Sequence, residues 1–130
     1  LSQVARPIVI EGQIDALPEL IAQSVADQPR FDLIVGRNSL VRHADKGRAA
    51  RLLAGLLQPG GAISLAEVIP HHAQRLYDLV DTAPLERELA QALREAEEAI
   101  YANEQDAMTN WDADDLRGAF LAAGFDPIKI

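Results

Sequence analysis

The chain contains no cysteine. Disulfides, thiolate metal sites and cysteine nucleophiles are therefore excluded, and the composition suits a reducing compartment. No apolar run approaches the roughly 20 residues that span a bilayer as a helix. Positive charge is in the minority, with 12 Lys and Arg against 20 Asp and Glu and a net charge of −8. Such a surface repels phosphate backbones, which argues against nucleic-acid binding by this domain alone. Aromatic residues make up only 5% of the chain. Tyr77 and Tyr101 read as half-buried helix residues rather than substrate stackers. There is no GxGxxG and no Walker loop. The glycine pair at Gly60 and Gly61 follows a helical pattern and precedes a strand pattern, the wrong order for cradling phosphate. No serine nucleophile constellation is visible. The first residues, LSQVARPIVIEG, lack the basic start and apolar block of a signal peptide and do not begin with Met. The expectation is a processed or excised piece of a cytoplasmic protein.

What remains is an ordinary globular composition, 48% apolar and 25% charged over 130 residues. Residues 1–130 are expected to form one domain, burying roughly two-thirds of the unfolded surface. The pattern alternates short β-branched runs with amphipathic segments. Residues 7–11, PIVIE, predict a strand buried on both faces. Pro18 opens a helix at a position where its missing N–H costs nothing, with an end expected near residues 27–29. Residues 31–35, FDLIV, predict a second strand. Asp45 is a candidate N-cap for a helix whose apolar face is Ala49, Leu52, Leu53, Leu56 and Leu57. Pro59 and the glycines break it, and residues 62–66 predict a third strand. Helices are expected over residues 71–81 and from Pro84 through Ile100. The latter carries the stripe Leu85, Leu89, Ala92, Leu93, Ala96 and Ile100. Asp112 and Asp115 have capping-box spacing, Trp111 and Leu116 the spacing of a hydrophobic staple. Gly124 reads as a left-handed stop. Residues 125–130, FDPIKI, predict a last strand. The resulting order β-α-β-α-β-α-α-α-β argues for a parallel sheet covered on both faces.

Open α/β sheets bind ligands beyond the C-terminal ends of their strands. Three loops converge there: Gly12, Gln13, Ile14 and Asp15; then Gly36, Arg37, Asn38 and Ser39; then Glu67 through His72. Asn38 reads either as a site residue or as a turn residue tolerating an unusual φ. Arg37 and Arg42 either hold an acidic substrate or pair with surface acids. His43 reads as a general base or a loop histidine, and Asp15 as a helix cap. Glu67, His71, His72 and His43 lack the spacing of a metal set, so no metal is expected. The acids gathered between Glu86 and Glu98 form a solvated helix face or a docking surface for a basic partner.

Taken together, FDLIVGRNSL, the following helix, LLQPGG and ISLAE resemble the central part of a class I S-adenosylmethionine-dependent methyltransferase. VIEGQIDALP is similar to that family's GDAxxLP segment, and WDADDLRGAFLAAGFDPIKI to its late helix and strand. The resemblance covers most of the chain. It implies a Rossmann-like, mostly parallel sheet with helices on both faces, truncated in its N-terminal half and lacking the last strand. It implies S-adenosylmethionine as cofactor of the complete protein. Gly12, Gln13, Ile14, Gly36 and Arg37 would then line the cofactor, and Asn38 and His43 would sit at the reacting centre. The family's glycine-rich first motif and the acid that takes the ribose hydroxyls have no counterpart here. Gln13 stands where the family usually places an aspartate. By the family's order, absent strands would sit between the first two strands here and between residues 62–66 and 125–130. The resemblance thus implies a partner that completes the sheet, either the rest of a longer polypeptide or a second copy. The wording GRNSLVRH and AEVIPHHAQRLY is also similar to methyltransferase-like regions appended to RarA-type AAA+ ATPases. That likeness implies an interaction module rather than an enzyme.

Overall fold

The structure, a computed structural model, describes residues 6–25 and 30–130. The chain is mixed α/β, with five helices and one two-stranded sheet among the described residues. The elements are α1 (Leu17–Ser24), β1 (Phe31–Arg37), α2 (Lys46–Leu56), β2 (Leu57–Ala66), α3 (Leu76–Leu79), α4 (Arg87–Tyr101) and α5 (Ala113–Ala122). Short 3-10 turns occupy Ile14–Ala16 and Pro70–His72.

The β1–α2–β2 unit forms as its sequence predicts. β1 and β2 pair in parallel, with Ile34 opposite Ile63 and Val35 opposite Ser64. Asp45 caps α2 by accepting from the Arg48 N–H at 2.7 Å. This satisfies one of the free donors of the first turn. β2 begins at Leu57, directly after α2, rather than at residue 62. Phe31 pairs with Leu57, while Leu33, two residues on, already pairs with Ala62. The intervening QPGG is thus looped out of the strand as a register irregularity. Gly60 takes φ +81° there, a value that favours glycine.

The core lies on one face of this sheet. Leu40, Ala49, Ala50, Leu53 and Phe120 form a buried cluster, with Ile34, Ile63, Leu65, Leu116, Phe125 and Ile128 packed against it. Period-2 alternation sends Ile34, Ile63 and Leu65 to that face, where α2 and α5 meet them. Phe120 and Phe125 touch edge-to-face with ring centroids 5.2 Å apart, a geometry worth about 0.5–1.5 kcal/mol beyond burial. The other face departs from the expected double covering. Leu33 and Val35 point outward and are exposed, Val35 to 71%.

Both terminal strands fail to form in the described structure. Residues 7–11 form no strand, and Ile8 and Val9 are exposed. Residues 125–130 do not join the sheet, although Phe125 and Ile128 pack against the core. β-propensity expresses itself only in hydrogen-bonded pairing, and neither segment pairs with the open edges of β1 or β2. α1 ends at Ser24, with Val25 extended; the end expected near residues 27–29 falls outside the described residues.

The helix expected over residues 71–81 is reduced to the turn Pro70–His72 and the single turn of α3. Side chains take the bonds that a continuous helix would use. Arg75 Nη1 donates to the carbonyl of Ala73 at 2.7 Å, and the Glu97 carboxylate accepts from the Leu76 N–H at 2.7 Å. α4 starts at Arg87, later than Pro84, because Thr82 and Leu85 form a turn and Asp81 accepts from the Ala83 N–H. The Asp112–Asp115 capping box is complete at the head of α5, and Gly124 ends it at φ +92°.

Candidate functional site

β1 and β2 run parallel, so their C-terminal ends deliver residues 38–43 and Glu67 to one rim. At the end of β1, Asn38 adopts φ +49°. Asparagine enters this left-handed region more readily than most residues. Its N–H still donates to Ala66 O at 2.9 Å, so the chain turns away without giving up the ladder. Gly36 stands just before this turn, where a side chain would oblige its neighbours to shift. A Cβ there would lie 2.4 Å from Ser39 Oγ and 2.9 Å from Leu65 Cδ2.

Glu67 holds the turn from across the sheet. Its carboxylate accepts from the Ser39 N–H at 2.8 Å and from the Leu40 N–H at 3.3 Å. The residue that closes β2 thereby pins the loop that leaves β1. Leu40, anchored in this way, is fully buried.

Lys46 holds the same loop from below. Its ammonium donates to the carbonyls of His43 at 2.5 Å, Ala107 at 3.1 Å and Val41 at 3.4 Å. It also lies 4.9 Å from the centroid of the Trp111 ring. Burial lowers the lysine pKa, and the attraction of Glu67 opposes that shift. The Trp111 indole N–H is buried without a partner among the described residues. Trp111 therefore contributes its ring face and apolar bulk rather than a hydrogen bond.

The third part of the rim comes from the segment before α1. The Asp15 carboxylate meets Arg48 Nε at 2.9 Å and His43 Nε2 at 3.5 Å. Asp15 is therefore not the helix cap its position suggests. It ties the 13–16 turn to the start of α2 and fixes the orientation of the His43 ring. The His43 side chain is only 15% exposed.

The other expected site residues divide into two groups. Gln13, Arg37 and Asn38 are exposed. Ile14 packs against the core instead, Gly36 is enclosed as described, and a Cβ on Gly12 would lie 2.2 Å from Leu20 Cδ1. Arg42 is exposed, and His71 and His72 lie on the Pro70–His72 turn. No three His, Asp or Glu side chains among the described residues converge as a metal set.

Lys46 was not singled out by sequence reasoning, yet its signal was present. Lys46, Ala49, Ala50 and Leu53 fall at i, i+3, i+4 and i+7, and all are buried. The buried face of α2 thus includes its first residue, a lysine, which a search for apolar residues alone passes over.

Beside the rim lies a cavity of about 610 Å³. It runs between β2, at Gly61, Ile63, Leu65 and Glu67, and the segment from Phe125 to Ile130. Arg117 and Phe120 of α5 form part of its wall. Among the described residues, β2 has no hydrogen-bonded neighbour on the side away from β1.

Comparison of the chain with protein-family models, with curated proteins and with solved structures finds no match. No helix among the described residues is long and apolar enough to cross a membrane.

Proposed function

We propose that the chain is the C-terminal part of a class I S-adenosylmethionine-dependent methyltransferase-like domain with a Rossmann-like sheet. The observation that carries this reading is the parallel β1–α2–β2 unit, whose strand ends bring Asn38, His43 and Glu67 to one rim, with Asp15 against His43. Ligands of open α/β sheets lie at such a rim. In the complete protein Asn38 would face the reacting centre, and His43, held by Asp15, would take the proton of the methyl acceptor. Methyl transfer otherwise asks mainly for in-line placement of donor and acceptor.

The residues present here do not make a cofactor site by themselves. Ile14 and Gly36 are turned inward, while Asp15 and Glu67 are engaged with groups of this chain. Cofactor binding in this reading needs the strands that complete the sheet, supplied by the rest of a longer polypeptide or by a second copy. The unpaired side of β2, the cavity beside it and the bare face at Leu33 and Val35 support that need. Parallel sheets are ordinarily buried on both faces. The absence of cysteine fits a cytoplasmic setting for the whole.

The test uses the natural polypeptide that contains this chain. Calorimetric titration with S-adenosylmethionine is expected to saturate, and His43→Ala is expected to lower methyl transfer by about a hundredfold while leaving binding in place. Titration of residues 1–130 alone is expected to give no saturable heat. Tight stoichiometric binding to this piece would overturn the account.

A second reading is a non-catalytic methyltransferase-fold module attached to a RarA-type AAA+ ATPase. The mutual satisfaction of Asp15, His43 and Arg48, and of Glu67 with the loop amides, favours it. A rim that bonds to itself serves stability as readily as chemistry. The preceding sequence separates the two readings. A glycine-rich strand–loop–helix followed about twenty residues later by an acid supports the enzyme, and a Walker loop supports the module.

A further inference from the structure

α4 is an amphipathic helix turned inside out. Leu89, Leu93, Ala96 and Ile100 repeat at intervals of four and three residues, so they share one stripe. Leu89 and Ile100 are each 56% exposed, whereas the buried residue of the helix is Glu97. The inversion has a local cause. Glu97 is drawn inward to accept from the N–H groups of Leu76 and Tyr77, and α3 therefore packs on the polar side of α4. Arg94 also faces that side, with its guanidinium 4.2 Å from the Tyr77 ring centroid. Among the described residues none covers the stripe at Leu89 and Ile100, while Leu93 between them is half-buried.

The charge around the stripe has one sign. From Leu76 to Asp106 there are nine acidic residues against two arginines. Glu88 and Glu95, seven residues or about two turns apart, share the flank of the stripe away from α3, and both are exposed. Arg87 and Arg94 share the opposite side by the same spacing. An apolar strip with an acidic border is complementary to a helix with an apolar strip and a basic border.

We infer that the exposed stripe of α4 docks a basic amphipathic helix of a partner protein, with Leu89 and Ile100 as its apolar anchors and Glu88 and Glu95 pairing its cations. A second copy of this chain would bring another net charge of −8, and the anionic surfaces of membranes and nucleic acids meet the same repulsion. The inference stands apart from the methyltransferase reading, because α4 contributes nothing to the rim.

The test titrates the whole chain with a fluorescent synthetic helix bearing leucine on one face and lysine on the other, read by anisotropy at low and high salt. Expected is saturable one-to-one binding, weakened at least about tenfold by the double substitution Leu89→Ser with Ile100→Ser. Glu88→Lys with Glu95→Lys is expected to remove most of the salt dependence. The matching peptide with glutamate in place of lysine is expected not to bind. Circular dichroism is expected to be unchanged in both doubles, since all four side chains are exposed. Binding indifferent to these substitutions would overturn the inference. So would a dimer of the chain alone that Leu89→Ser with Ile100→Ser dissociates, because the stripe would then belong to a second copy.

Discussion

Two regions of this molecule solve opposite problems. In the β1–α2–β2 region the interior is apolar, and the charged groups brought near it are engaged. Glu67 takes two amides, Lys46 takes three carbonyls, and Asp15 takes His43 and Arg48. In the α3–α4 region the buried side chain of α4 is a glutamate, and Leu89 and Ile100 look outward. There, local polar locks do the work of a core. Tyr77 and Arg75 both donate to Glu98 and hold its carboxyl below the usual range, and Arg75 lies 3.6 Å from the Tyr101 ring centroid. The contrast separates global from local stability. Removing an apolar side chain from the first region should unfold the chain, whereas removing a lock from the second should release only its own segment.

The sharpest way to break this comparison is Leu40→Ala. Leu40 is fully enclosed in the core cluster, so the loss should be about 2–5 kcal/mol of global stability, read from the midpoint of urea unfolding. A small, local effect would mean that the core is not the cooperative unit. Next comes Lys46→Met, which keeps the aliphatic bulk but strands the carbonyls of Val41, His43 and Ala107. A loss of about 1–3 kcal/mol is expected, and an unchanged midpoint would show the ammonium to be dispensable.

Glu97→Gln should act on the other region alone. A carboxamide keeps one acceptor oxygen, without charge, and sets an NH2 donor where the carboxylate has its second oxygen facing the Leu76 N–H. Hydrogen exchange at Leu76 and Tyr77 should therefore quicken by about tenfold, with little movement of the global midpoint. An equal shift of the whole unfolding curve would erase the distinction between the regions. The smallest effect concerns the α5 cap. The backbone N–H of Asp115, joined by that of Asp114, holds the Asp112 carboxyl below its ordinary value of 3.8. A carboxyl lowered on folding adds its full stabilisation above its unfolded pKa and loses it as pH falls through the lower folded value. The cap should therefore be complete at neutral pH and fail only in strong acid. Asp112→Asn should flatten that acid limb, read as helical signal against pH.

The legibility of the sequence followed the range of the interactions involved. The cap at Asp45, the box at Asp112 and Asp115 and the stop at Gly124 are settled within four residues, and all three form as expected. The failures are the elements that depend on distant partners. PIVIE and FDPIKI carry strand-forming residues but pair with neither open edge of the sheet. Residues 71–81 carry helical periodicity but lose their amides to Glu97, some twenty positions away. The rim was partly legible: Asn38 and His43 stood out by position, and Lys46 could have been found by its place on the buried face of α2. The Asp15–His43 and Glu67–Ser39 contacts could not, because each joins residues 28 apart in sequence.

The sequence alone thus determined the parallel βαβ unit, the helix boundaries set by caps and glycines, and the acidic character of the second half. These follow from periodicity, backbone preference and charge, which each short segment carries with it. Only the tertiary structure decided that Glu67 and Lys46 would grip one loop from two sides, that the sheet would keep a bare face, and that α4 would turn Leu89 and Ile100 to solvent. Those outcomes depend on which hydrogen-bond donors and apolar surfaces meet across the fold, and that competition is resolved only when the whole chain is in place.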